Sequence, residues 1–227
     1  SDIGSTTITI DNASPDTVGE VGKRWTSVNS ISNISWNSVT FGSGLFVAVG
    51  ATTTNQNVWT SPDGINWTLR TGTTTNSWNS VTFSNGLFVA VGSSTSLISN
   101  SVMTSPDGIT WTARTSSANN SWRSVTYGNG LFVAVANTGA NRVMTSPDGI
   151  TWTTRTSSAG NSWQSITYGN GVFVAVAING VNNSIMRSTD AITWSTSTTA
   201  LNGLWSSVTY GNGIFVAVAA TTSLNSV

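Results

Sequence analysis

Four aspartates, Asp63, Asp107, Asp148 and Asp190, recur at one place in a repeated motif and are the only carboxylates between residues 21 and 227. The other acids, Asp2, Asp11, Asp16 and Glu20, all precede that stretch. Glycoside hydrolysis generally needs two carboxylates facing one bond, or a tyrosine with acidic support. Copies of a single turn, spread around a repeating fold, do not converge on one bond. Their own chemistry is local: an aspartate in a tight turn accepts hydrogen bonds from backbone N–H groups just ahead of it. Arg70, Arg114 and Arg155 are likewise one position repeated, each three residues after a tryptophan. The chain has no His and no Cys, so the usual bases and nucleophiles are missing. A calcium ion held by turn oxygens is the one form of metal site left open. The expectation is a chain with no catalytic residues, no metal centre and no cofactor.

Aromatic side chains are the second group able to do something. A sugar-binding site needs ring faces for stacking and hydrogen-bonding groups at a rim, and Trp and Tyr recur here among Asn, Ser and Thr. A tryptophan that returns in every repeat, as Trp36, Trp78, Trp122, Trp163 and Trp205 do, is more often packing, since each can bury about 200 Å2 between neighbouring units. Trp59 differs, because its counterparts are Met103, Met144 and Met186. It is a candidate for ligand contact or for local repacking. Tyr127, Tyr168 and Tyr210 are the other candidate contacts.

Charged residues make up 7% of the 227-residue chain, against about 25% in an average soluble domain. The formal net charge is zero, so nothing draws a phosphate backbone and nucleic acid is not an expected partner. No apolar run approaches the ~18 residues of a membrane helix. Eleven tryptophans and repeated apolar runs argue against disorder. Abundant Ser, Thr, Asn and Gly with a single Lys suit an extracellular protein, or one on a cell or virion surface. The first residue is Ser1, which fits a removed leader or a fragment. Five Asn-x-Ser/Thr sequons, at Asn12, Asn33, Asn66, Asn119 and Asn182, matter only where secreted proteins are glycosylated.

What must position these residues is a repeat. The unit Trp36-Asn-Ser-Val-Thr-Phe-Gly-Ser-Gly-Leu-Phe-Val-Ala-Val49 returns at Trp78, Trp122, Trp163 and Trp205, with spacings of 42, 44, 41 and 42. A second unit, Thr60-Ser-Pro-Asp-Gly-Ile-Asn-Trp-Thr68, returns around Ser105 and Ser146, and as Ser188-Thr-Asp-Ala191. Each repeat reads as four short strands. The first alternates apolar and polar residues. The second is continuously apolar, as a strand covered on both faces is. Between them lies Asn-Gly or a close relative, which tolerates the positive φ of a tight hairpin. Ser-Pro-Asp-Gly makes the turn between the third and fourth strands. Ala191 stands where that turn has Gly, at a cost of about 1 kcal/mol if φ is positive. Four strands in roughly 42 residues is the length of a propeller blade.

The fourth-strand Trp precedes the next unit's Trp by 11 residues at Trp67, Trp111, Trp152 and Trp194, and Trp25 keeps the same distance from Trp36. Trp25 therefore belongs to a blade that begins at Trp205. The spacing predicts an all-β, five-bladed β-propeller of four-stranded antiparallel blades, spanning residues 17–227, its ring closed by N- and C-terminal strands sharing one blade. Residues 1–16 are then an extension. It contains Thr6, Thr7, Ile8, Thr9 and Ile10, an alternating segment that reads as a strand. That strand either fills the incomplete third-strand slot of its own blade or is donated to the edge of another subunit.

Ser-Pro-Asp-Gly-x-x-Trp resembles the Asp-box, or BNR-type, repeat of sialidase-like propellers, and the whole unit is similar to repeats in secreted bacterial and phage proteins. The resemblance covers nearly all of the chain after residue 17. It departs from the Asp-box in having Asp and Gly adjacent. It implies a propeller in which the four aspartates are structural, and no particular activity. The likeness to tachylectin-like lectins is in blade number only.

Two functions follow as expectations. One is a non-enzymatic subunit that assembles with copies of itself into a surface appendage, filament or phage-like fibre, helped by its weakly charged surface. The other is a lectin with repeated glycan-binding pockets.

Overall fold

The computed structural model describes residues 7–11, 25–29, 34–93, 100–179, 184–197 and 203–222. Four full blades run in chain order. The first is β3 (Ser35–Gly42), β4 (Leu45–Ala51), β5 (Val58–Ser61) and β6 (Thr68–Arg70). The second is β7 (Ser77–Ser84), β8 (Leu87–Ser93), β9 (Val102–Ser105) and β10 (Thr112–Arg114). The third is β11 (Trp122–Gly128), β12 (Leu131–Ala136), β13 (Val143–Ser146) and β14 (Thr153–Arg155). The fourth is β15 (Trp163–Gly169), β16 (Val172–Ala177), β17 (Ile185–Ser188) and β18 (Ser195–Ser197). Each is an antiparallel meander with strands paired in sequence order. Two further sheets have two strands each: β1 (Thr7–Asp11) with β2 (Trp25–Asn29), and β19 (Gly203–Gly211) with β20 (Ile214–Thr222). Among the described residues no helix is long and apolar enough to cross a membrane.

Local chemistry accounts for the meander. At the tip of the third blade Asn129 (φ 47°) and Gly130 (φ 78°) both take positive φ, the two-residue turn that matches the twist of the strands it joins. A bulge follows the leading Trp of each first strand, between Trp122 and Ser124 in β11 for example, and aims the large ring toward the neighbouring blade. The second strands carry the core: Phe88, Val89, Ala90 and Val91 of β8 are all fully buried. Successive first strands (β3, β7, β11, β15, β19) lie beside one another, so the blades step around a common axis with these strands innermost.

The fifth blade comes out differently from the expectation. β19 and β20 form a sheet by themselves, and among the described residues no ladder joins them to β2, so the ring is not closed. The expected third strand near Thr17 lies outside the described residues, as do Thr6, Gly22 and Asn225–Val227. The strand from the N-terminal extension pairs with β2 instead. Its register places Ile10 opposite Thr26 and Ile8 opposite Val28. Counted from Trp25 and Trp152, these pairs match Thr145 opposite Thr153 and Val143 opposite Arg155 in the third blade. β1 and β2 thus have the register of a blade's outer half. β19 and β20 have that of an inner half.

Candidate functional site

One interface is built four times between consecutive blades. From the earlier blade come alternate residues of the second strand; from the later blade come the Trp, the β-branched residue and the aromatic residue of the first strand. Val89 and Val91, with Leu87, pack on Trp122, Val125 and Tyr127. Val133 and Val135 pack in the same way on Trp163 and Ile166. Two finer contacts accompany this packing. The Ser80 Oγ accepts from the Val125 N–H at 3.2 Å, and equivalent bonds join Ser38 to Val81, Ser124 to Ile166 and Ser165 to Val208. At three of the four boundaries the aromatic ring also lies over a glycine of the preceding first strand. A Cβ on Gly42 would sit 2.1 Å from Phe83, one on Gly128 would sit 2.1 Å from Tyr168, and one on Gly169 would sit 2.0 Å from Tyr210.

At the two ends of the arc each half of this interface lacks its partner among the described residues. Val81, Val125, Ile166 and Val208 are at most 6% exposed, whereas Val39, their equivalent in β3, is 58% exposed and Phe41 57%. On the fifth blade Ile214, Val216 and Val218 hold the places of Leu87, Val89 and Val91, and Val218 is 55% exposed while Val91 is fully buried. Gly211, which holds the place of Gly128, has nothing within 4 Å of where its Cβ would be. β3, β4, β19 and β20 carry no charged residue. Sequence reading did not single out these positions, because every blade carries the same residues and only the lost neighbour distinguishes them.

The four aspartates sit where the repeat put them, one per blade, at separate turns. In each, Oδ1 accepts from the N–H groups two and three residues ahead at 2.8 Å, as Asp107 does from Ile109 and Thr110. The preceding Ser hydroxyl donates to the same oxygen at 2.8–2.9 Å. These donors favour the charged form. The Thr193 N–H, then the Ile192 N–H and the Ser188 hydroxyl, hold Asp190 at a pKa of about 2. Asp63 is held below the ordinary carboxylate range, first by the N–H and side chain of Asn66. Asp107 and Asp148 are lowered chiefly by the N–H groups of Thr110 and Thr151. The Trp of the turn donates its indole N–H to the carbonyl of Gly64, Gly108, Gly149 or Ala191 at 2.7–3.1 Å.

Trp59 is 1% exposed, enclosed between Trp36 (ring centroids 4.9 Å) and Trp67 (5.9 Å). It fills the space that the buried Met103, Met144 and Met186 fill elsewhere, so its place is local repacking. Tyr127, Tyr168 and Tyr210 are half-buried, each with its ring against the Phe across its own hairpin at 4.6–4.8 Å. The arginines of the outer strands donate Nε to a threonine of the third strand at 3.0 Å, Arg155 to Thr145 for example. The fourth blade reverses this pair: Arg187 takes the threonine's place and Ser197 the arginine's. A cleft of about 280 Å3 beside it is lined by Arg187, Asp190, Thr193 and Ser195 among others.

Comparison with solved structures places this architecture. Virginiamycin B lyase from Staphylococcus aureus superimposes with a TM-score of 0.72 at 14% identity, over 86% of this chain and 67% of that one. The fold is that of a β-propeller. YCF48 from Cyanidioschyzon merolae matches with a TM-score of 0.57 at 16% identity, over 81% of this chain and 62% of its own. A GH74 enzyme from Niastella koreensis matches with a TM-score of 0.62 at 16% identity, over 82% of this chain and 36% of its own. This chain therefore spans roughly two thirds of the length of the first two. No family profile matches it and no curated protein matches it in sequence, so the likeness to Asp-box repeats rests on the turn alone. The expectation of a chain without enzymatic function is overturned by these neighbours: propellers of this architecture include a lyase and a glycoside hydrolase. The reason is physical. A propeller's blades are a scaffold, and chemistry is grafted onto its loops, so a repeat that uses its own acids structurally excludes nothing.

Proposed function

We propose that this chain is an interaction propeller of an extracellular or surface assembly, whose copies associate through the two open ends of the arc. The observation that carries the reading is the pair of uncovered, uncharged apolar faces, around Val39 and Phe41 at one end and Val216 and Val218 at the other. Contiguous apolar surface of this kind, with no charge to desolvate, is the usual mark of a protein–protein contact. The low overall charge supports the same reading, because little repulsion opposes contact between copies. In this reading the fifth blade is made between copies, β1 and β2 of one copy as its outer half and β19 and β20 of another as its inner half.

Sedimentation velocity over a wide concentration range tests the proposal, with electron microscopy of the concentrated sample. Species larger than one chain, growing with concentration, are expected. Monomers at every concentration would overturn it. A chain lacking residues 1–16 should associate more weakly, because the fifth blade then has no third strand.

A further inference from the structure

We infer that the association is head to tail and repeats the interblade interface: the first blade of one copy docks on the fifth blade of a second copy of this chain. This rests on the self-association proposed above and specifies its geometry. Phe41 of one copy covers Gly211 of the next, as Tyr168 covers Gly128 within the chain. The Val39 N–H donates to the Ser207 Oγ, completing the series that links Ser38 to Val81 and Ser165 to Val208. Ile214, Val216 and Val218 receive Trp36 and Val39, as Leu87, Val89 and Val91 receive Trp122 and Val125.

The incoming copy also brings its own β1 and β2. Their outer-half register fits the free edge of β20. In the third blade Phe132 pairs with Ser146 and Val135 with Val143. The same alignment sets Phe215 opposite Asp11, and Val218 opposite Ile8, of the incoming copy. Both ladders and both faces are then satisfied at one contact.

A second copy is the occupant, rather than the chain's own first blade, because of the stiffness of the four interfaces already made. Each is close-packed, with a hydrogen bond of 3.1–3.2 Å at the axis, and three of the four seat a ring directly on a glycine. With all four satisfied, no ladder joins the two ends among the described residues, and Val39 and Val218 stay exposed. Closing the arc on itself would change the step at every interface, and packed interiors resist such strain. A second copy docks with the step unchanged. Because the two faces differ, the contact is heterologous and propagates to a larger ring or a filament.

The chain has no cysteine, so paired cysteines report the contact cleanly. The Ser124 Oγ lies 3.2 Å from the Ile166 N, so equivalent positions face each other across the contact. A Ser207→Cys chain and a Val39→Cys chain are mixed and oxidised, both sites being exposed. A disulfide-linked pair containing one of each is the expected product. No mixed pair, or a Ser207→Cys/Val39→Cys chain that forms its disulfide within a monomer, would overturn the inference. Gly211→Val, which fills the seat, should weaken association at least about tenfold while the circular dichroism spectrum is unchanged. Larger species by sedimentation without the mixed disulfide would leave self-association standing and remove this geometry. Monomers alone would remove both.

Discussion

The ring of Tyr168 lies over Gly128 so closely that a Cβ there would stand 2.1 Å from its Cγ. The same seat recurs at Gly42 and Gly169, whereas at the boundary of the second and third blades it is Ser84. There Tyr127 stands more edge-on to its hairpin partner Phe132 (61°) than Tyr168 does to Phe173 (47°). A small side chain is thus admitted at one of the four seats. Gly128→Ala should therefore cost about 1–2 kcal/mol of stability, an overpacking effect that relaxes in part. Gly211→Ala, at the open seat, should change the stability of the isolated chain by less than about 0.5 kcal/mol. Urea unfolding of the two variants side by side checks both.

The Ser-x-Asp turns offer a paired test of backbone strain. Ala191 has a φ of 59° where Gly149 has 73°. Positive φ costs a non-glycine residue about 1 kcal/mol, yet the Ala191 methyl is fully buried and returns about 0.8 kcal/mol. Ala191→Gly should therefore be close to neutral. Gly149→Ala has the same backbone strain, and its Cβ would meet the Val89 Cγ2 at 2.8 Å and the Leu87 Cδ2 at 2.9 Å. A loss of about 1–3 kcal/mol is expected in thermal or urea unfolding. Equal effects from the two substitutions would contradict this account.

How much of this was legible in the sequence depends on whether an interaction is local. The hairpin at Asn129-Gly130, the turn at Asp107 and the fully buried Val-Ala-Val strands follow from residue type and spacing, because turns and alternation are set within a few residues. The repeat likewise put Trp122 and Trp163 between blades, where both are fully buried. Whether Trp25 and Trp205 meet in one sheet was not legible, since spacing gives the order of strands but not the angle between blades. Trp59 was ambiguous for another reason. Departure from a repeat marks either a contact or a different way of filling the same space, and only its enclosure by Trp36 and Trp67 separates the two. The open seat at Gly211 was hidden by the repeat, which writes the same glycine whether or not a ring covers it.

One hairpin tip breaks the pattern of the others. Ser43 has a φ of 50°, a conformation held by Asn85, Asn129, Asn170 and Asn212 at the equivalent tips. Asn tolerates this region better, because its short amide can bond locally to the backbone. Ser43→Asn should stabilise the chain by a few tenths of a kcal/mol to about 1 kcal/mol. It also lies at the tip of the hairpin that bears Phe41. A higher thermal midpoint with unchanged association would separate blade stability from docking.

Acid should unfold the chain through its turns. Each turn aspartate has a folded pKa below its ordinary value, set mainly by backbone N–H donors. A depressed folded pKa contributes stability that is complete above the unfolded value of about 3.9. That contribution is lost as pH falls toward the folded value, about 2 for Asp190. With no His and no Cys in the chain, no side chain has an ordinary pKa between about pH 5 and 8. The thermal midpoint should therefore be flat from about pH 8 to 5 and fall between about pH 4 and 2. Asp190→Asn removes one of the four titrating turns, so it should lower stability at neutral pH and make the acid slope shallower, since the amide has no proton to take up in that range. A midpoint that moved between pH 5 and 8, or an acid slope unchanged by Asp190→Asn, would contradict the assignment of the acid transition to these turns.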